Sequence, residues 1–134
     1  MASRIAIQKE APMPSRKTAR VESASYLSWI RRLPCVVTKT RPAEAAHVSF
    51  ANRHYGAPGR AKGRKVSDRW ALPLCQSEHI RQHSMNEALY WRQVGIDPHD
   101  LACRLWGIWN ERGEDATDDA EMIVMTAYGT CQFR

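Results

Sequence analysis

Three histidines in this chain have a spacing that suits metal chemistry. His79 and His83 are four residues apart, which places them on one face of a helix, about one turn from each other. Imidazole is a common ligand of zinc and related ions. His47 precedes this pair, and the segment from Ala57 to Lys65 between them holds four cations and no acid. Such a loop suits a polyanion, so the pattern predicts a metal site beside a phosphate-binding loop.

The charge of the chain is positive and unevenly distributed. Twenty Lys and Arg stand against 14 Asp and Glu, which gives a formal net charge of +6. Residues 1–65 contain 14 basic side chains and three acidic ones, whereas residues 111–121 contain six acids and one arginine. We expect the basic half to face DNA or RNA and the acidic stretch to face away from it. An ordinary solvated surface is the alternative explanation of the charge taken alone.

The length and composition predict one modest domain. The chain has 134 residues, of which 43% are hydrophobic. We divide it into a disordered basic arm (1–22), a domain (23–110) and an acidic C-terminal extension (111–134). The first twenty residues lack the apolar run of a signal peptide, so we expect a cytoplasmic protein with reduced thiols. No window has the roughly 18 apolar residues that a membrane span requires.

Local signals predict an α+β arrangement of short elements. Proline ends the first predicted helix, and glycine ends a later one. The motif Asp97-Pro98 is typical of a helix start. The residues from Met122 to Ala127 suit a helix or a strand equally well. The other predicted elements are a helix (25–33), a hairpin of two strands (35–38 and 45–50), a strand (70–74) and two helices (77–83 and 86–94).

The order of these features resembles the HNH endonuclease superfamily. In its ββα-metal fold, a hairpin histidine is followed by an Asn or Asp and then by helix histidines, as His47, Asp68, His79 and His83 follow each other here. Within it, the chain resembles a small phage-associated branch close to the Ref-type recombination nucleases, over roughly residues 25–106. The motifs that carry the resemblance are Glu44-Ala-Ala-His47, Lys65-Val-Ser-Asp68, Leu74-Cys75-Gln-Ser-Glu-His79 and Gly95-Ile-Asp-Pro98.

The resemblance implies a metal-dependent endonuclease or nickase that hydrolyses phosphodiester bonds in DNA. It implies that His47 is the general base and that His79 and His83 hold one divalent ion, either Mg, Mn or Zn. Asp68 would either ligate this ion or orient the His47 ring. Phage or host recombination proteins are further expected partners. The cations expected to contact DNA are Arg53, Arg60, Lys62, Arg64, Lys65 and Arg69.

One departure from the family concerns the metal ligands. Many members have a His or Asp directly before the base, but this chain has Ala46 there. Either His47 turns to the metal and another group or water is the base, or Asp68 and water complete the ligand set. Glu44 is a possible substitute, although its odd separation from His47 puts it on the opposite face of a strand. If catalysis is lost, the alternative function is a non-catalytic nucleic-acid-binding module on the same scaffold.

A second departure concerns a structural zinc ion. Relatives often carry two Cys-x-x-Cys motifs, of which this chain keeps only the first cysteine each time, Cys35 and Cys75. We infer that this zinc is lost and that the two thiols lie close together in the reduced form. His54 and His99 are expected to be exposed and without a role, and the five tryptophans to pack in the core. A third class of function is a partner-binding phage protein that docks through its acidic segment.

Overall fold

Five α-helices and two short strands form the described part of the chain, residues 20–60 and 65–128 of a computed structural model. The predicted α+β class is confirmed. Within these residues, no helix is long and apolar enough to cross a membrane. The elements are α1 (Ala24–Arg31), β1 (Glu44–His47), β2 (Ala71–Leu74), α2 (Gln76–His83), α3 (Glu87–Val94), α4 (Pro98–Arg112) and α5 (Thr117–Met125), with 3₁₀ turns at Arg53–Tyr55, Asp68–Trp70 and Gly113–Ala116.

Strands β1 and β2 pair in antiparallel fashion across a long loop. The register sets Glu44 opposite Leu74 and His47 opposite Ala71. Helix α2 begins two residues after β2 ends, at Gln76. The chain therefore runs strand, loop, strand, helix, and both ends of β1 lie near residues that we predicted to be functional.

The predicted hairpin between residues 35–38 and 45–50 is wrong. Residues 36–38 form a turn, closed by a hydrogen bond of 2.8 Å from Lys39 N to Cys35 O. Lys39 adopts a φ of 65°, which no extended strand has. Because the segment turns back on itself, only Val36 N reaches the sheet, where it donates to Pro73 O. The true partner of β1 is the apolar run that follows the loop.

The helix starts follow the signals in the sequence. Ser23 caps α1 by accepting from Tyr26 N, and Asn86 caps α3 in the same way. Asp97 caps α4, directly before the proline at its first position. Gly95 ends α3 in the left-handed conformation that glycine adopts most readily. The ambiguous residues near Met122 belong to helix α5.

The core is rich in aromatic side chains and extends to the C-terminal helix. Trp29 and Trp91 are fully buried, as predicted. Helix α4 continues past residue 110, where we placed a domain boundary, and α5 adds the buried Ala120 and Val124 to the same core. The acids of this segment form ion pairs with the domain, Arg32 with Glu114 and Arg41 with Glu121.

Lys39 joins this C-terminal helix to the turn before the sheet. Its ammonium group donates to Val36 O, Val124 O and Ala127 O at 2.6, 2.9 and 3.0 Å. Burial lowers the pKa of Lys39. We expect Lys39→Met to reduce the free energy of unfolding by about 1–3 kcal/mol, because three carbonyl groups lose a charged donor. Urea denaturation measures the change, with the exposed Lys65→Met as control; equal losses in both variants would contradict the assignment.

Candidate functional site

His47 and Asp68 form a bonded pair at the end of the sheet. His47 is the last residue of β1, and Asp68 starts the 3₁₀ turn that leads into β2. His47 Nε2 lies 2.8 Å from Asp68 Oδ1, and the second carboxylate oxygen accepts from Ser23 N at 2.8 Å. Asp68 is 7% exposed, so its position is well fixed. A carboxylate only accepts, so Nε2 carries a proton and the neutral ring keeps its lone pair on Nδ1.

The end of the predicted basic arm contributes to this arrangement. Residues 1–19 lie outside the described residues. Val21 exchanges backbone contacts with the segment before β2, since Asp68 N donates to Val21 O and Val21 N donates to Ser67 Oγ, both at 2.8 Å. These bonds, with that from Ser23, attach residues 21–23 to the carboxylate that holds the histidine.

His79 and His83 lie side by side on α2, as their spacing predicts. Their ring centroids are 4.9 Å apart, and the rings are tilted by 40°. His79 Nδ1 lies 2.7 Å from Glu44 Oε1, at the start of β1. This bond directs the Nδ1 proton to the carboxylate and leaves Nε2 of His79 with a lone pair. The alternation of side chains along a strand did not predict this contact. Glu44 is the first residue of β1 and lies beside α2, where that alternation does not decide which groups meet.

The predicted residues come together as two groups and not as one cluster. His47 is paired with Asp68, while His79 lies beside His83 and Glu44. Within residues 20–60 and 65–128, no group of three or more His, Cys, Asp or Glu side chains is placed to hold a metal ion. The two oxygens of Asp68 contact His47 Nε2 and Ser23 N, so Asp68 lies with the hairpin histidine and not with the helix pair.

Glu87 links the two groups and was missed by sequence reasoning. Its carboxylate accepts from Ser49 N, Ser49 Oγ, Gln82 Nε2 and Trp91 Nε1. Gln82, which is 3% exposed and precedes His83 on α2, also places its Nε2 3.3 Å from His47 O. An acid in the first turn of a helix is ordinary. Only the folded contacts reveal that this one joins β1 to α2.

The cations predicted to bind DNA take different positions. Arg53, Arg60 and Lys65 are exposed on the loop between the strands. Arg69 instead lies over the Trp70 ring, with its guanidinium carbon 4.5 Å from the centroid, and donates to Cys103 Sγ. The remaining two positions, Lys62 and Arg64, lie outside the described residues.

His99 is buried, so the expectation that it is exposed is wrong. It is 1% exposed, with Nε2 2.9 Å from Phe50 O and Nδ1 3.3 Å from Asn52 Nδ2. The first helical turn of α4 packs against the loop and encloses the ring. His99 therefore holds the loop that presents Arg53.

Cys35 and Cys75 are free thiols that share one neighbour. Thr38 N donates to Cys35 Sγ, and Thr38 Oγ1 lies 3.7 Å from Cys75 Sγ. Burial raises the pKa of the Cys75 thiol, but hydrogen bonds from Ser77, the Glu78 N–H and Thr38 outweigh it, so this pKa is lowered. The carboxylate of Glu78 accepts instead from the Tyr90 hydroxyl at 2.8 Å.

Comparison with known proteins gives one family. The sequence profile of a family described as "Protein of unknown function (DUF968)" matches residues 2–102. This range contains both histidine groups and Glu87. No curated protein and no solved structure matches the chain.

Proposed function

The chain belongs to the DUF968 family, and we propose that it is a metal-dependent DNA endonuclease or nickase of the HNH type. The observation that carries this proposal is the His47–Asp68 pair, held at the end of β1 next to the helix that bears His79 and His83. A histidine oriented by a buried carboxylate is suited to general base catalysis. The order strand, loop, strand, helix agrees with a ββα-metal core.

His47 acts as the general base in this proposal. Asp68 accepts a hydrogen bond from Nε2–H, so the free Nδ1 takes a proton from the attacking water. The positive ring that results is stabilised by the same carboxylate. Since His47 is only about one-third exposed (31%), the ring is accessible to water and still restrained.

The helix imidazoles are the candidate metal ligands. Nε2 of His79 and the ring of His83 would hold one ion, with water or a phosphate oxygen completing the ligand set. Imidazole donors suit zinc better than magnesium, so zinc is the preferred ion among the three expected. A bound ion would polarise the scissile phosphate and stabilise the leaving oxygen.

DNA is the proposed substrate because exposed cations lie on the loop between the two members of the His47–Asp68 pair. Arg53, Arg60 and Lys65 lie on the loop that connects His47 to Asp68. Phosphate contacts from such side chains position a nucleic acid without reading its sequence. We therefore propose that binding depends strongly on salt.

The test is a nicking assay on supercoiled plasmid with zinc, manganese or magnesium and with EDTA. We expect nicked or linear DNA with at least one of these ions and intact plasmid with EDTA. A protein that binds DNA but leaves plasmid intact with every ion would overturn the enzyme proposal.

A non-catalytic DNA-binding module is the second candidate. It is favoured by Ala46, which is fully buried where many HNH proteins place a metal ligand. The helix pair then binds an ion without turnover, and DNA affinity falls with salt but does not depend on that ion.

Glu44 is expected to influence metal affinity through His79. Its bond to Nδ1 fixes the ring and its tautomer, and loss of such a partner typically weakens metal binding about 10–100-fold. Glu44→Gln should therefore raise the zinc dissociation constant by about this factor in isothermal titration calorimetry. Glu121→Gln, which removes an acid paired with Arg41, is the matched control. Unchanged zinc affinity in Glu44→Gln would rule out the orienting role.

A further inference from the structure

Glu87 has more hydrogen-bond donors on its carboxylate than its position in a helix requires. Oε1 accepts from Ser49 Oγ at 2.5 Å and from Ser49 N at 3.0 Å. Oε2 accepts from Gln82 Nε2 at 2.8 Å and from Trp91 Nε1 at 3.1 Å. Bonds to an ionised acceptor are roughly twice as strong as neutral ones. This carboxylate therefore fixes the three residues that it contacts.

Two of these residues are neighbours of the proposed catalytic groups. Ser49 follows His47 by two residues, and Gln82 directly precedes His83. Gln82 Nε2 also lies 3.3 Å from His47 O, so one amide contacts both Glu87 and the strand that bears the base. A single carboxylate thus connects the end of β1 to the last turn of α2.

The sheet itself gives this connection little support. It has two strands of four residues each in the described part of the chain, and a pair of that size is only marginally stable alone. His47 is the last residue of β1, and only one further backbone bond to the β2 side follows it in the described residues, from Val48 N to Trp70 O at 2.9 Å. The position of its ring relative to α2 therefore depends on contacts outside the sheet.

We propose that Glu87 is a positioning residue that holds the His47 ring in register with the His79–His83 pair through Ser49 and Gln82. The inference rests on the proposed function, because this register matters only if both groups act on one phosphodiester. It extends that function by naming the group that aligns the base with the metal-binding helix. A displacement of about 1 Å at a reacting centre can cost about 10²-fold in rate.

Glu78 provides a matched control for a merely structural role. Its carboxylate accepts from the Tyr90 hydroxyl at 2.8 Å and from Arg81 at 3.1 Å, so it also joins α2 to α3. None of these bonds reaches β1. Glu78→Gln should therefore destabilise the protein without moving the His47 ring.

The experiment compares Glu87→Gln with Glu78→Gln in the full chain. Glutamine keeps the shape of the side chain but sets an NH₂ group against donors. We measure kcat and KM for plasmid nicking, zinc affinity by calorimetry and the folded fraction by urea denaturation, at a temperature where all variants are folded. We expect kcat to fall about 10–100-fold in Glu87→Gln, with KM and zinc affinity unchanged. Glu78→Gln should keep a kcat close to that of wild type, because it removes no interaction made in the transition state.

Ser49→Ala gives a second route if Glu87→Gln does not fold. It removes the shortest bond to Glu87, so kcat should fall while KM and zinc affinity stay unchanged. Where both variants fold, their losses in kcat should not add in a double-mutant cycle. Three outcomes would each overturn the positioning role. They are equal losses of kcat in Glu87→Gln and Glu78→Gln, a change in KM alone in Glu87→Gln, and a Ser49→Ala variant with wild-type kcat. An inert wild-type protein would instead overturn the proposed function.

Discussion

His47→Ala is expected to lower the nicking rate by about 10²–10⁴-fold, the usual contribution of a general base. The reason is the bond of 2.8 Å from His47 Nε2 to Asp68, which leaves Nδ1 to take the proton of the attacking water. Alanine removes this proton acceptor and leaves both proposed metal ligands, His79 and His83, in place. Zinc affinity and DNA affinity should therefore remain close to wild type.

Single-turnover nicking with saturating metal measures this rate. His54→Ala is the matched control, because His54 is an exposed histidine of the loop that follows β1 and contacts the Tyr55 ring. A His47→Ala protein that cuts at the wild-type rate would show that another group or free hydroxide activates the water. A loss of zinc affinity would instead show that His47 is a metal ligand, the alternative that the sequence leaves open.

The starts of α1, α3 and α4 and the end of α3 were predictable because their causes are local. Ser23, Asn86 and Asp97 each accept from the backbone N–H three residues further on, and Gly95 ends a helix by its own backbone freedom. Such signals need no knowledge of the rest of the chain. The same holds for His79 and His83, whose proximity follows from the helix repeat alone.

The strand partner was not predictable from local signals. Residues 35–38 have strand-like composition, but Lys39 turns the chain. Its ammonium group bonds to Val124 O in α5, which lies 85 positions later in the sequence. The partner of β1 follows a loop of more than twenty residues, so its choice depends on which apolar face packs on α1. Contacts at such separation leave no periodic trace in the sequence.

The site shows the same division between local and distant causes. The pairing of Glu44 with His79 and the burial of His99 both arise where one element ends against another. A rule for strand faces applies inside a strand and fails at its first residue. The role of Glu87 was the least predictable from the sequence, since its hydrogen-bond donors come from three different segments, a loop, α2 and α3.

His83→Ala is expected to abolish most of the zinc binding. The helix pair supplies both imidazole ligands in the proposal, so this variant leaves one imidazole beside Glu44. Losing a ligand should exceed the effect of losing a supporting residue, which is about 10–100-fold in affinity. We therefore expect the zinc dissociation constant to rise by at least about 100-fold, well beyond the change in Glu44→Gln.

Thermal unfolding reports this loss without any measurement of activity. An ion at 100 times its dissociation constant stabilises the folded state by about 2.7 kcal/mol, so zinc should raise the Tm of wild type and of His47→Ala alike. It should not raise the Tm of His83→Ala at the same concentration. Equal zinc-dependent shifts in wild type and His83→Ala would place the ion elsewhere, and the two imidazoles of α2 would then be surface residues that share a face of the helix only because of its repeat.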